Sequence, residues 1–405
     1  MAKNNINVWL VSNITPQEMN FYHKICSDFG RKHGVDVRIN EISWTKIFPK
    51  LVQAYKNNNP PDIFQFGTTW VNTLAHLGYL AEVPSFVDYS PVTQGVADCC
   101  EYKDKKVAVP WFIELRSILV NKKLQKKYNI DLEKIKTQQG FYEICKELSK
   151  MRQNDSSAPL PIAFPIRPET GTLNLYMSWI YASGWRFPDI NNLPDSILGT
   201  DLFIKRFNYV INLIEAGNID IEELKKHPHT TFQEFTENRF MFYMGNWQIK
   251  SLEESQYMVT AIPTRKPDIK RWSGGSVLCV SNKSKVKKLS WRLINTLRSD
   301  ENLEEWVYIK GELPSFETGF WEKKKNDDKF KKAYRQIKNS IVYPVHPLWY
   351  KIEQVMLDGM SDYLWSSLED DNIDYKERKE MLVSVDQKIK KLFQISWDWS
   401  AKQVQ

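Results

Sequence analysis

Indoles and hydrogen-bonding side chains, rather than nucleophiles or metal ligands, are the groups in this chain with chemistry to offer. Among 15 tryptophans, Trp44, Trp70, Trp111, Trp185, Trp247, Trp272 and Trp349 all fall in or beside segments that read as the ends of strands. An indole face stacks on the C–H face of a sugar ring, and neighbouring carboxylate, guanidinium, amide and hydroxyl groups bond the ring hydroxyls. A single loop tryptophan usually packs; this many at strand ends in both halves of the chain argue for a binding cleft.

The most informative segment is Asn59-Asn-Pro-Pro-Asp-Ile-Phe-Gln-Phe-Gly-Thr-Thr-Trp70. Pro60-Pro61 and Gly67 bound an apolar run that reads as a buried strand, after which Val71, Leu74 and Leu77 fall at helical spacing. In an open parallel sheet, ligands bind outside the carboxyl ends of strands, where Thr68, Thr69 and Trp70 would lie. Asp62 fits better as a residue that fixes the Pro-Pro turn.

Glu114 and Arg116 sit two apart on an extended segment and therefore project from one face, equally suited to gripping a ligand or to pairing with each other. Asn246 and Trp247 follow Met244-Gly245 where a second strand should open. Gly274-Gly275 allows close backbone approach or a positive φ, as any turn might require. The phosphate loop, the dinucleotide turn, the zinc helix and the nucleophile elbow are absent from the sequence. His23, Cys26 and His33 are read as one surface helix rather than as metal ligands, and no cofactor is expected.

The elements that must position these residues alternate. A strand from Ile6 to Val11 precedes a helix with Thr15 as N-cap, Pro16 at its first position and Glu18 completing a capping box. Val35–Ile39, a helix from Ser43 and the strand Ile63–Phe66 continue a β-α-β-α-β pattern, which predicts a parallel sheet. Lys106–Pro110 and Ile118–Asn121 read as two short strands flanking Trp111–Arg116, as if the chain crossed between lobes there. A second α/β region follows, with strands at Ile162–Phe164, Phe240–Tyr243, Tyr257–Ile262 and Ser276–Ser281, helices over Leu173–Tyr181 and Phe203–Glu215, and a mostly helical stretch from Phe320.

At 405 residues, with 42% hydrophobic and 26% charged residues, the chain exceeds a single core and suits two soluble lobes. The net charge of +7 gathers in lysine runs at 283–288 and 323–332, which read as solvated helix faces, so no nucleic-acid partner is expected. Five cysteines without a Cys-x-x-Cys pair indicate neither a disulfide framework nor a zinc ribbon. The amino terminus enters a strand-like run without a leader pattern, which fits either a cytosolic protein or one whose leader has been removed.

In order along the chain, Pro61–Trp70 with Leu74-Ala75 and Gly78-Tyr-Leu80, Val109–Arg116 with Asn121-Lys122, Met244-Gly-Asn-Trp247, Gly274-Gly-Ser-Val-Leu278 and Gly311-Glu-Leu-Pro-Ser315 resemble the extracellular solute-binding proteins of family 1, similar to maltose-binding protein in architecture. The resemblance implies an α/β, two-lobe periplasmic-binding-protein-like fold of type II, with 1–111 plus 259–312 as one lobe and 112–258 plus 313–405 as the other. It implies a non-enzymatic component of an ABC importer that closes on a mono- or oligosaccharide without chemistry and delivers it to permease subunits. The same resemblance implies a monomer, periplasmic or anchored outside the cell, with Thr69, Trp70, Trp111, Glu114, Arg116, Asn246, Trp247, Gly274 and Gly275 about the cleft and Trp44 and Trp349 nearby. A ligand sensor feeding a receptor kinase and a carbohydrate-active enzyme are the competing readings; the second needs a pair of carboxylates about 5 to 10 Å apart.

Overall fold

The computed structural model describes residues 5–11, 15–167, 170–246, 256–369 and 374–402. Its described strands are β1 (Asn5–Val11), β2 (Asp36–Ile42), β3 (Ile63–Gly67), β4 (Glu101–Tyr102), β5 (Lys105–Lys106), β6 (Val109–Asn121), β7 (Leu160–Ala163), β8 (Phe240–Asn246), β9 (Tyr257–Ala261), β10 (Arg271–Val280), β11 (Leu313–Pro314) and β12 (Ser340–Ile341). The main strand path runs β2-β1-β3-β10-β6-β8-β7. β1 pairs in parallel with both β2 and β3, β10 runs antiparallel between β3 and β6, and β7 lies parallel to β8. This is a mixed α/β fold of two lobes joined along a curled sheet.

The capping signals act as their chemistry requires. Helix α1 (Pro16–His33) starts at a complete capping box between Thr15 and Glu18 and ends on Gly34 in the left-handed region at φ 68°. Phe21, Ile25 and Phe29 bury its inner face against β1 residues Ile6, Val8 and Leu10. Helix α2 (Trp44–Lys56) buries Ile47, Leu51 and Tyr55. β3 is buried along Ile63–Phe66 and passes through a single 3-10 turn, Thr68–Trp70, into α3 (Val71–His76).

One expectation changes in kind. The two short strands around Trp111–Arg116 are a single 13-residue strand, β6. Trp111, Ile113 and Leu115 are buried while Phe112, Glu114 and Arg116 are half-buried, the two-residue alternation of a pleated strand. β10 pairs with β6 from Val109 to Leu115, and β8 takes over from Arg116 to Val120, with β9 pairing along Ser117–Asn121. The segment expected as a crossing is thus strand rather than loop.

Several tryptophans expected at strand ends are core residues. Trp111 stacks on Trp306 with ring centroids 5.9 Å apart, Trp185 packs edge-on against Phe203, and Trp349 is fully buried beside Phe187 and Tyr343. The largest apolar cluster joins Phe141, Tyr176, Trp179, Phe242, Trp349 and Met360. All five cysteines are buried as free thiols. The helix Trp349–Glu369 packs on the helix Tyr375–Lys402, and Gly359 is required there: a Cβ would sit 2.0 Å from a Val385 methyl. Asp386, 1% exposed, closes this region by accepting from the Ser196 hydroxyl and from the backbone N–H groups of Ile197, Leu198 and Gly199 at 2.7–2.9 Å.

Candidate functional site

A cavity of about 300 Å³ lies where β3, β6, β8 and β10 converge, at the lower end of the size usual for small-molecule sites. Its first wall is the β3 end, because the strand stops at Gly67 and the 3-10 turn directs Thr68, Thr69 and Trp70 to the cavity. Trp44, at the start of α2 and 38% exposed, meets Trp70 edge to face with centroids 5.8 Å apart. Gln65 is a polar residue within a buried strand; its side chain accepts from the Val11 N–H and donates to Ser276 Oγ, tying β1, β3 and β10 together behind this wall.

The floor is β6 with β10. Glu114 and Arg116 form an ion pair at 2.5 Å with side chains 20% and 14% exposed, and Arg116 also donates to the Gly171 carbonyl at 3.4 Å. Gly274 and Gly275 line the floor for packing reasons. A Cβ on Gly275, at φ 154°, would approach the Phe112 carbonyl oxygen to 2.4 Å, and one on Gly274 would enter the space of the Trp272 indole. The far wall holds Asn246 at the end of β8 and Asn174 on the helix Thr170–Ala182.

Four further contributors carry weak sequence signals. Trp306, Lys310 and Glu312 come from the helix Asp300–Lys310 and the turn after it, and Glu353 comes from the helix Trp349–Glu369. Glu353 is 2% exposed and accepts from the Trp70 indole N–H at 2.9 Å, linking the β3 end to a helix distant in sequence. Tyr350, one turn earlier, stacks on Phe48 of α2 at 3.9 Å. Glu353 was detectable only as the i+4 neighbour of Trp349 on one helix face; Glu312 lay inside the Gly-Glu-Leu-Pro-Ser marker without being singled out.

Burial pushes the Glu312 carboxyl up to about 8, with Glu18 and Glu114 adding in the same direction and Lys310 opposing. Burial likewise raises Glu353 to about 7, against the hydrogen bond from Trp70. Lys310 pairs with Glu18 at 3.2 Å. The buried Arg116 Nε, Trp272 Nε1 and Trp306 Nε1 donors and the Glu312 Oε2 acceptor belong to cavity-lining residues and have no hydrogen-bond partner.

Of the residues singled out from sequence, Thr68, Thr69, Trp70, Trp44, Glu114, Arg116, Asn246, Gly274 and Gly275 line this one cavity. Trp111 and Trp349 do not; each is at most 1% exposed, because its large apolar ring fills a lobe core. Trp247 lies outside the described residues. No group of His, Cys, Asp and Glu suited to a metal ion occurs among the described residues, and none of their helices is long and apolar enough to cross a membrane.

Residues 24–336 match the model of the family described as bacterial extracellular solute-binding protein. A stretch of 154 residues is 27% identical to the diacetylchitobiose binding protein DasA of Streptomyces coelicolor, covering 37% of this chain and 35% of that protein. The match therefore spans about a third of the length of that curated relative. An ABC transporter solute-binding protein from Thermotoga lettingae, solved with α-D-tagatose, superimposes with a TM-score of 0.79 at 18% identity over 96% of this chain and 100% of its own. The maltose-bound MalE3 of T. maritima gives the same TM-score at 16% identity, over 96% and 99% of the two chains. These likenesses establish a shared fold, and the family match, which covers most of the sequence, establishes that the chain belongs to the bacterial extracellular solute-binding proteins.

Proposed function

We propose that this protein is the substrate-binding component of an ABC importer, that it takes a carbohydrate into the cavity between its lobes, and that it delivers this ligand unchanged to a membrane permease. The lobes divide near residues 111, 259 and 312, and the ligand lies between Trp70 on one side and the Asn246-Trp247 segment on the other. Closure follows from contacts that the ligand makes with both walls at once. The protein acts as a monomer outside the cytoplasm.

One observation carries this reading: unpaired buried donors on Arg116, Trp272 and Trp306 and an unpaired acceptor on Glu312 belong to residues of a single aromatic-lined cavity. A buried polar group without a partner costs about 1–3 kcal/mol, and a polyhydroxylated ring, whose hydroxyls both donate and accept, satisfies donors and acceptors together. Aromatic faces beside them complete the surface that a sugar ring presents. Glu114 pairs with Arg116, which favours binding over the acid and base duties of a glycosidase.

Titration calorimetry with a panel of mono- and oligosaccharides tests the proposal. At least one is expected to bind with a Kd of about 1 µM or tighter, equivalent to about 8 kcal/mol, and to be recovered intact after prolonged incubation. Absence of binding across the panel, or turnover of the bound sugar, overturns it.

A further inference from the structure

Carboxyls outnumber cations among the described lining residues of the cavity. Among the described lining residues the cations are Arg116 and Lys310, and each has a carboxylate partner: Glu114 for Arg116, and Glu18, behind the lining, for Lys310. Glu312 and Glu353 line the same cavity, and neither forms an ion pair with a described residue. Glu353 is met by neutral donors alone, the Trp70 indole at 2.9 Å with Thr69 and Trp349 beside it, while the shielded Oε2 of Glu312 has no hydrogen-bond partner. Trp44, Trp70, Trp272 and Trp306 line the same cavity.

Two carboxyls without an ion pair of their own, Glu312 feeling Lys310 only through space, make this indole-lined cavity complementary to positive charge. Indole faces attract a cation through their quadrupole by about 0.5–2 kcal/mol, and removal from water strengthens that attraction and the pairing to carboxylate. Burying a carboxyl without a cation is costly, so such groups persist where a partner arrives from outside the chain.

We infer that the ligand carries a protonated amine, as an amino sugar does, and that Glu312 and Glu353 supply its counter-charge. This rests on the carbohydrate reading and narrows it: the hydroxyls of the ring meet Arg116 and the indole N–H groups, and protonated amines meet the carboxyls. Burial raises both carboxyls, Glu312 to about 8 and Glu353 to about 7, so their ionisation on meeting a cation releases protons to solvent near neutral pH.

The experiment compares three disaccharides that share a β-1,4-linked backbone: the glucosamine dimer, its N,N′-diacetyl derivative and cellobiose. Calorimetry near neutral pH, repeated in two buffers of different ionisation enthalpy, gives affinity and proton release together. The free amine is expected to bind at least about tenfold more tightly than both neutral sugars, a difference of about 1.4 kcal/mol, and to release protons where they do not. In the Glu312→Gln, Glu353→Gln double variant, checked for a wild-type circular dichroism spectrum, the ratio of amine to neutral affinity should fall towards one. If that variant does not fold, proton release by the wild-type protein decides the matter. Equal or tighter binding of a neutral sugar, amine binding without proton release, or no binding of the amine overturns this inference. If neutral sugars bind, the carbohydrate reading survives that result; only failure across the wider panel removes both.

Discussion

The Trp70 indole N–H donates to Glu353 at 2.9 Å, joining the turn after β3 to a helix that begins at Trp349. Both side chains are buried and both line the cavity. A hydrogen bond in that position orders one wall of the site and holds the helix against α2, where Tyr350 stacks on Phe48. Trp70→Phe retains most of the ring and removes the donor. It should lower unfolding stability by about 1–3 kcal/mol, the cost of leaving a buried polar group unpaired, and weaken binding of the best sugar by about tenfold or more. Urea denaturation and calorimetry read the two effects separately, and unchanged stability would contradict the buried bond.

Stability should carry a signature of the raised carboxyls. Glu312 and Glu353 hold their protons to about 8 and about 7 in the folded state, against 4.5 for an ordinary Glu, so above that ordinary value the folded chain binds more protons than the unfolded one. Their contribution is complete below about pH 4.5 and is lost as pH rises through about 7 and 8. The loss approaches about 1.4 kcal/mol per pH unit for each group within its window. His346, lowered by burial to about 4, acts in the opposite sense, destabilising the fold as pH falls below about 6.5. The comparison is therefore between wild type and Glu312→Gln: the difference in denaturation free energy should change with pH between about 5 and 8, and a flat difference would refute the raised value.

The ion pair between Glu114 and Arg116 is largely shielded from water. Arg116→Met leaves the Glu114 carboxylate unpaired and should cost about 3 kcal/mol of stability, together with about a tenfold or greater loss of sugar affinity. In a double-mutant cycle, Glu114→Gln added to Arg116→Met should recover part of the stability and little of the affinity. Recovery of both would make the arginine a purely structural partner.

Asp386 offers a test remote from the cavity. Asp386→Ala abandons four donors, the Ser196 hydroxyl and three backbone N–H groups, and should destabilise the protein by about 3 kcal/mol or more. Sugar affinity measured below the unfolding transition should stay within about twofold of wild type.

Gly275→Ala should destabilise by about 1–3 kcal/mol, since its φ of 154° disfavours a side chain and its Cβ would press on the Phe112 carbonyl oxygen at 2.4 Å. A denaturation midpoint equal to wild type would show that β10 can shift away from β6.

Where local chemistry decides an element, the sequence was readable. Thr15, Pro16, Glu18 and Gly34 announce α1 because capping groups act within a few residues, and Pro60-Pro61 with Gly67 bracket β3. The continuity of β6 is hidden by the polar Glu114 and Arg116 in its middle, although Trp111, Ile113 and Leu115 alternate with them as a strand requires. The site was legible where a strand end carries its residues, as at Thr68–Trp70. Glu353 was not, because nothing near it announces that its helix packs on α2; only the tertiary arrangement brings it to Trp70. Trp111 and Trp349 were assigned to the cavity for the same reason in reverse, since an indole suits a core as well as a ligand.

The continuous course of β6 gives the Glu114–Arg116 pair a second capacity. Gly274 faces Glu114 in one ladder, and Asn246 faces Arg116 in the next. The two side chains thus stand on either side of the step between the two ladders. Because the two residues lie two apart on one strand, their ion pair braces β6 at the point where its partner changes from β10 to β8.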